Sequence, residues 1–293
     1  MQNQNFIEFK KKRDLGSIIS DTFKFLSTEW KSFFGTILKA AIIPILIAVG
    51  AVIYYVMSST AVFGEMAKTT DFDSAFDLNF AELIIPIFIF IGTYLVAYAL
   101  VTVNALSYIK SYIDNKGVVN LEQVNILAKD KFGAYVGLFF LNGIILFVGA
   151  LFCFFPAIYL GVVLSVSICF LIFQNKSVTE SITDSFNFIK GHWWETFGVL
   201  IVVQLIIGLI GFLADLPATF YQLINTGFGL KNEDAVEVLN IFKDPIYIAL
   251  MVFSYFIKFI LYTVTTVATV FIYYDIKEQG NPSTTIINQI GVE

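Results

Sequence analysis

The sequence predicts an all-α integral membrane protein: six transmembrane helices arranged as three parallel repeats, each an interfacial amphipathic helix plus a two-helix hairpin. Three observations carry that expectation. Hydrophobic residues make up 57% of the 293 residues and charged residues 14%, where a soluble domain carries about a quarter charged. Six apolar runs are each long enough to cross a hydrocarbon core of about 30 Å. One amphipathic stretch, Ser177–Gly198, recurs upstream and divides the chain into units 13–115, 116–175 and 176–280, with a polar tail over 281–293.

The recurring stretch is clearest in its third copy. Val178, Ile182, Phe186, Ile189 and Trp193 fall on one stripe of a 3.6-residue helix, and Glu180, Thr183, Asp184, Asn187 and Lys190 fill the other side. Ser177 and Glu180 fit a capping box, in which hydroxyl and carboxylate each satisfy a backbone N–H at the helix start. Gly191 and His192 loosen the helix. Trp193 and Trp194 then sit where indole rings prefer to lie, at headgroup depth. The first copy, Arg13–Gly35, superposes without a gap when 163 is added to its numbers: Arg13 meets Lys176, Asp21 meets Asp184, and Trp30 meets Trp193. The same offset aligns Val101, Ala105, Ile109 and Gly117 with Val264, Ala268, Ile272 and Gly280. The middle copy, Lys116–Gly137, keeps an Asn120/Gln123 cap with Leu121, Val124, Ala128 and Phe132. Trp30, Phe132, Trp193 and Trp194 are the expected interfacial anchors.

In chain order, Met1–Lys12 is expected to be a loose arm and Leu15–Thr28 the first surface helix. The spans are expected at Phe33–Met57, Ala81–Tyr108, Ala134–Phe155, Ala157–Phe173, Phe197–Ala214 and Pro245–Tyr274. Only Pro156 divides the third from the fourth, so those two form a tight hairpin. Ser58–Asn79 and Asp215–Asp244 are long acidic loops whose only basic residues are Lys68, Lys231 and Lys243. The other lysines and arginines concentrate in the N-terminal arm, the returns and the tail. The positive-inside rule therefore places both termini and all three surface helices in the cytoplasm. No cleavable signal peptide is expected, because a polar, basic start lacks a short apolar core followed by a small-residue site.

Few residues could carry chemistry. Lys258 lies inside the sixth span, where an ionisable side chain costs about 2.5–3.5 kcal/mol on insertion scales and is a functional candidate. The competing reading is a lysine that snorkels to the surface and pairs with Asp215. Asn104, Asn142 and Gln204 are polar at membrane depth, and either line a polar path or make hydrogen bonds between helices. Cys153 and Cys169 lie in apolar runs and read as small core residues. His192 is the only histidine and has no second ligand to form a metal site. No triad, phosphate-binding loop or dinucleotide fingerprint is present, so no enzyme activity, cofactor, metal or nucleic-acid partner is expected.

The run Pro156–Ile201, PAIYLGVVLSVSICFLIFQNKSVTESITDSFNFIKGHWWETFGVLI, and the closing Tyr273–Gly280, YYDIKEQG, resemble a bacterial six-span membrane domain. That domain occurs fused to the catalytic domain of some glycerophosphodiester phosphodiesterases and also as stand-alone proteins. The resemblance implies the topology and a bacterial inner membrane. It does not imply the phosphodiesterase activity, which in the fused relatives belongs to a soluble barrel bearing acidic metal ligands and histidines. The function expected is a non-enzymatic membrane protein that organises lipid, or a membrane protein partner, through its cytoplasmic amphipathic helices. The alternative is a transporter or flippase-like carrier with Lys258 in the pathway.

Overall fold

The computed structural model describes residues 6–66, 81–152, 154–226 and 240–280. Its helices are α1 (Leu15–Met66), α2 (Ala81–Asp114), α3 (Leu121–Phe152), α4 (Phe154–Ser165), α5 (Ser167–Phe173), α6 (Val178–Ile189), α7 (Trp193–Thr226) and α8 (Pro245–Gln279), with a 3-10 turn at Asn240–Lys243. No strand occurs among the described residues. Six segments are long and apolar enough to span a membrane: Leu15–Gly64, Ile84–Asp114, Leu121–Phe152, Phe154–Phe173, Trp193–Thr226 and Pro245–Gln279. The protein is an integral, multi-pass, all-α membrane protein.

The helix starts have side-chain causes. Asp14 accepts the Ser17 N–H at 2.8 Å and opens α1. Asn120 accepts from Glu122 and Gln123 at 3.0 and 3.2 Å and opens α3. Asp244 accepts from Ile246 and Tyr247 at 2.7 and 3.1 Å. It stands just before Pro245, whose missing N–H costs nothing in a first turn. Ser177 and Glu180 form the full capping box of α6. Gly191, at φ +90°, separates α6 from α7 in a conformation open to glycine.

Several expected boundaries move. The first surface segment and first span are one continuous helix, α1, although Pro44 lies inside it and removes the N–H that the Ala40 carbonyl would accept. Transmembrane helices tolerate such a proline because neighbouring groups and local adjustments satisfy the freed carbonyl. The second surface segment is likewise continuous with its span in α3. Only the third forms a separate helix. α7 runs to Thr226, twelve residues past the expected end at Ala214, through Pro217. The fourth span bends at Val166 into α4 and α5, and Pro156 sits in the first turn of α4 rather than between helices. There Gly149 lets α3 and α4 approach: a Cβ would stand 2.7 Å from Leu160 Cδ1. The acidic loop segments 67–80 and 227–239, Cys153 and the tail 281–293 lie outside the described residues.

The chain divides into two compact units. The first comprises residues through Ala40, Ala99–Ile207 and those from Tyr262 onward. Its core is aromatic. Phe9 stacks on Phe271 with centroids 4.2 Å apart and meets Phe25 edge-on at 5.3 Å. Phe25 and Phe33 in turn pack against Tyr112 and Tyr108 at 5.2 Å each. Such pairs add about 0.5–1.5 kcal/mol beyond the area they bury. The N-terminal segment is therefore not a loose arm from Ile7 onward, since Ile7, Phe9 and Arg13 are all buried. The second unit comprises Ala41–Tyr98 and Gly208–Leu261. Tyr55 stacks on Phe90 and Tyr94 meets Phe259 there. Its helices leave Ile43, Leu46, Ile47, Phe88 and Leu209 exposed. Water would not tolerate so much contiguous apolar surface, and acyl chains do.

Candidate functional site

Lys258 and Asp215 meet within the second unit. Lys258 projects from α8 and Asp215 from α7, and Lys258 Nζ stands 2.8 Å from each carboxylate oxygen. Ser254, one turn before Lys258, donates its hydroxyl to Asp215 Oδ1. The Tyr255 ring lies 5.4 Å from the ammonium. Asp215 sits well within α7, so its partner is met on a helix flank and not in a loop. The lysine and aspartate side chains retain 39% and 43% exposure. Two opposite charges in hydrogen-bond contact make a neutral unit. Such a unit is far cheaper at membrane depth than either charge alone.

The other polar candidates belong to the first unit, and each has its own partner there. Asn142 of α3 donates to Ser167 Oγ of α5 at 3.0 Å. Gln204 of α7 donates to Thr265 of α8 at 3.1 Å. Asn104 donates to the Leu100 carbonyl of its own helix at 2.8 Å. These bonds use the amide N–H groups locally, as interhelical glue or back-bonding does, while Asn142 Oδ1 is buried without a partner among the described residues. The five candidates do not form one hydrogen-bonded set. No group of three or more metal-ligating side chains occurs among the described residues.

α6 and the residues after it form the second candidate site. Ser181, Ile182, Ser185 and Ile189 are its buried face. Ser181 and Ser185 donate back to the Ser177 and Ile182 carbonyls at 2.7 Å each, so their hydroxyls are satisfied within the helix. Phe188 wedges edge-on against Phe170 at 5.1 Å and stacks on Tyr273 at 5.3 Å. Phe186, expected on the apolar stripe, is exposed at the edge of the docked face. The small serines admit close approach on their side of the helix and rotate the docked face toward them. Glu180 is held below the usual carboxylate range, first by the Ser177 backbone N–H and then by its hydroxyl. Asp184 pairs with Lys176.

The expected anchors differ in setting. Trp194 is 77% exposed and Trp30 55%. Lys31 lies 5.6 Å from the Trp30 ring. Trp193 stacks between Tyr159 and Phe197, at 5.8 and 5.1 Å, and donates Nε1–H to the Tyr159 carbonyl at 3.3 Å. It thus clamps α4 to α7. Phe132 is half-buried on α3. His192 faces Glu195 at 3.4 Å near the surface.

Sequence reasoning missed a cavity of about 260 Å³ in the first unit, between the starts of α1 and α7 and the end of α8. Ile18, Val199, Ile272 and Ile276 wall it, and Asp14, Glu195 and Asp275 bring carboxylates to it. Arg13 also lines it, but its donors are spent elsewhere: Nε on Asp21, Nη1 on the Phe9 and Lys11 carbonyls, Nη2 on the Glu8 carbonyl. No sequence signal joins these positions, because they come together only through tertiary packing. Comparison of the chain with family models, curated proteins and solved structures finds no match.

Proposed function

We propose that the chain is a non-enzymatic protein of a bacterial inner membrane that organises lipid, or a membrane protein partner, through amphipathic helices on the cytoplasmic face. The observation that carries this reading is α6. It is a separate helix with a capping box at its start, one docked face and one polar face, and it leads through Gly191 to the exposed indole of Trp194. Its docked face is turned to the protein, and Phe186 and Trp194 are the exposed apolar groups that can enter the headgroup boundary beside it. The bacterial inner membrane in this reading is what the resemblance of Pro156–Ile201 to the membrane domain of glycerophosphodiester phosphodiesterases implies.

The three-unit organisation belongs to the same proposal. Two side-chain devices support it, each recurring at the 163-residue offset. Asp14 caps Ser17 as Ser177 caps Glu180, and Arg13 pairs with Asp21 as Lys176 pairs with Asp184. The middle unit keeps the cap, through Asn120, and has Leu127 where the others have the paired aspartate. With two spans per unit, all three units insert the same way up. Cysteines at Asp73→Cys and Glu233→Cys then react with an impermeant thiol reagent from the periplasmic side of intact cells, and cysteines at Gln123→Cys and Glu180→Cys do not. Labelling of Glu180→Cys from outside would overturn the orientation.

A carrier for a small solute or lipid is the second reading. One observation favours it: a charged pair on spanning helices keeps about two-fifths of its surface open. The carrier reading requires that Lys258→Met with Asp215→Leu, which removes both charges, abolish lipid or solute movement in proteoliposomes while the protein still inserts.

A further inference from the structure

The segment Phe6–Arg13 is a strap fastened across the polar edge of the first unit. Phe9 lies flat on Phe271, with an interplanar angle of 4°. The Ile7 N–H donates to the Tyr112 hydroxyl at 2.9 Å, and Phe6 stacks on the same ring. The Arg13 N–H donates to Asp275 at 2.7 Å. Its guanidinium folds back over Phe271, 4.6 Å from the ring centroid, and onto the strap's own carbonyls.

These contacts fix the depth of the strap. Phe271 belongs to the last turn of the apolar run of α8, which closes at Tyr274, and Asp275 is the first charged residue after it. A segment bonded to both lies where hydrocarbon gives way to headgroups. Residues 7, 9 and 13 are spent on the protein, while Lys10 and Lys11 are exposed and Lys12 half-buried. Among the described residues none of these three lysines makes an ion pair, whereas Lys110, Lys131 and Lys176 each have an aspartate. Lys277 adds a fourth cation, over the Tyr273 and Tyr274 rings beside Phe9. Glu8 is the one exposed acid within Ile7–Arg13.

We propose that this strap is a binding surface for anionic phospholipid headgroups, with Lys10, Lys11 and Lys12 as the charges that attract them. Basic residues beside a span gain affinity from an anionic leaflet, and the gain falls off within a Debye length of the surface. Arg13, Phe9 and Tyr112 hold the lysines within that distance. The inference goes beyond the role of α6, since it rests on a different segment and a different force.

The test uses the full chain in bilayer nanodiscs of mixed phosphatidylglycerol and phosphatidylcholine. Spin-labelled lipids report boundary selectivity, and native mass spectrometry reports retained lipid. The wild type is expected to favour phosphatidylglycerol. The change Lys10→Gln, Lys11→Gln and Lys12→Gln together is expected to lower that preference by about tenfold or more, and added salt to lower it in the wild type. Replacing the same three lysines by arginine retains the preference, and so does Lys243→Gln in the second unit. If the triple glutamine variant unfolds, Lys10→Gln and Lys11→Gln singly give the same result in graded form. Equal affinity of the wild type for the two lipids, or an unchanged preference in the glutamine variants, overturns the proposal. Either result leaves α6 intact and so bears on the strap alone.

Discussion

Lys258→Met alone is expected to destabilise the protein, by about 1–3 kcal/mol, in detergent or bicelles. From sequence, a snorkelling lysine would be replaced by methionine at no cost. The structure changes that expectation, because the lysine is the partner that neutralises Asp215. Removing one member of a buried pair costs about 3–5 kcal/mol. Side-chain exposure of 39% and 43% leaves the pair short of full burial, so the expected loss lies below that range. The double change Lys258→Met with Asp215→Leu is expected to restore stability or raise it, because a charge pair is replaced by apolar side chains of similar size. Thermal unfolding of the four proteins in the cycle measures the coupling. A single variant more stable than the wild type would show that the pair contributes nothing.

Ile182→Asp combined with Ile189→Asp is expected to release α6 from the first unit without preventing insertion. Ile182 and Ile189 are 8% and 1% exposed, and burying such side chains is worth about 1.5–3 kcal/mol each. Two carboxylates in their place add a desolvation cost that nothing in the docking face repays. Phe186→Asp, at the exposed edge, has a smaller effect, and Asn187→Asp, on the polar face, is tolerated. Limited proteolysis between Lys176 and Lys190 reports release of the helix. Equal protection of the double variant and the wild type would contradict the docked face assigned to α6.

The parts of this fold that follow local rules are legible in the sequence. The Ser177–Glu180 box, the break at Gly191 before two tryptophans and the start at Pro245 all appear where residue chemistry places them. Helix continuity is not legible in the same way. Leu15–Thr28 and the apolar run after it read as two elements because their polarity differs. Backbone hydrogen bonding is indifferent to that difference, and nothing between Thr28 and Phe33 stops a helix. The strap is the plainest miss. Glu8-Phe9-Lys10 has no periodicity, and the worth of Phe9 lies in Phe271, some 260 residues away. Lys258 was legible as unusual, and Asp215 as its candidate partner. The depth of Asp215 within α7 was not, because Asp215 reads as the start of a polar, acidic loop and is instead carried inside a helix that continues through Pro217.

Spin labels placed one at a time along residues 178–192, in bilayers, test most directly whether α6 is an interfacial amphipathic helix. The account predicts a 3.6-residue oscillation in mobility and oxygen accessibility. Labels at Ser181, Ile182, Ser185 and Ile189 are immobile, those at Thr179, Thr183 and Asn187 are mobile and water-facing, and Phe186 is intermediate and accessible to oxygen from the acyl region. A flat, water-exposed profile across all fifteen positions would make the segment an ordinary cytoplasmic loop and contradict the account.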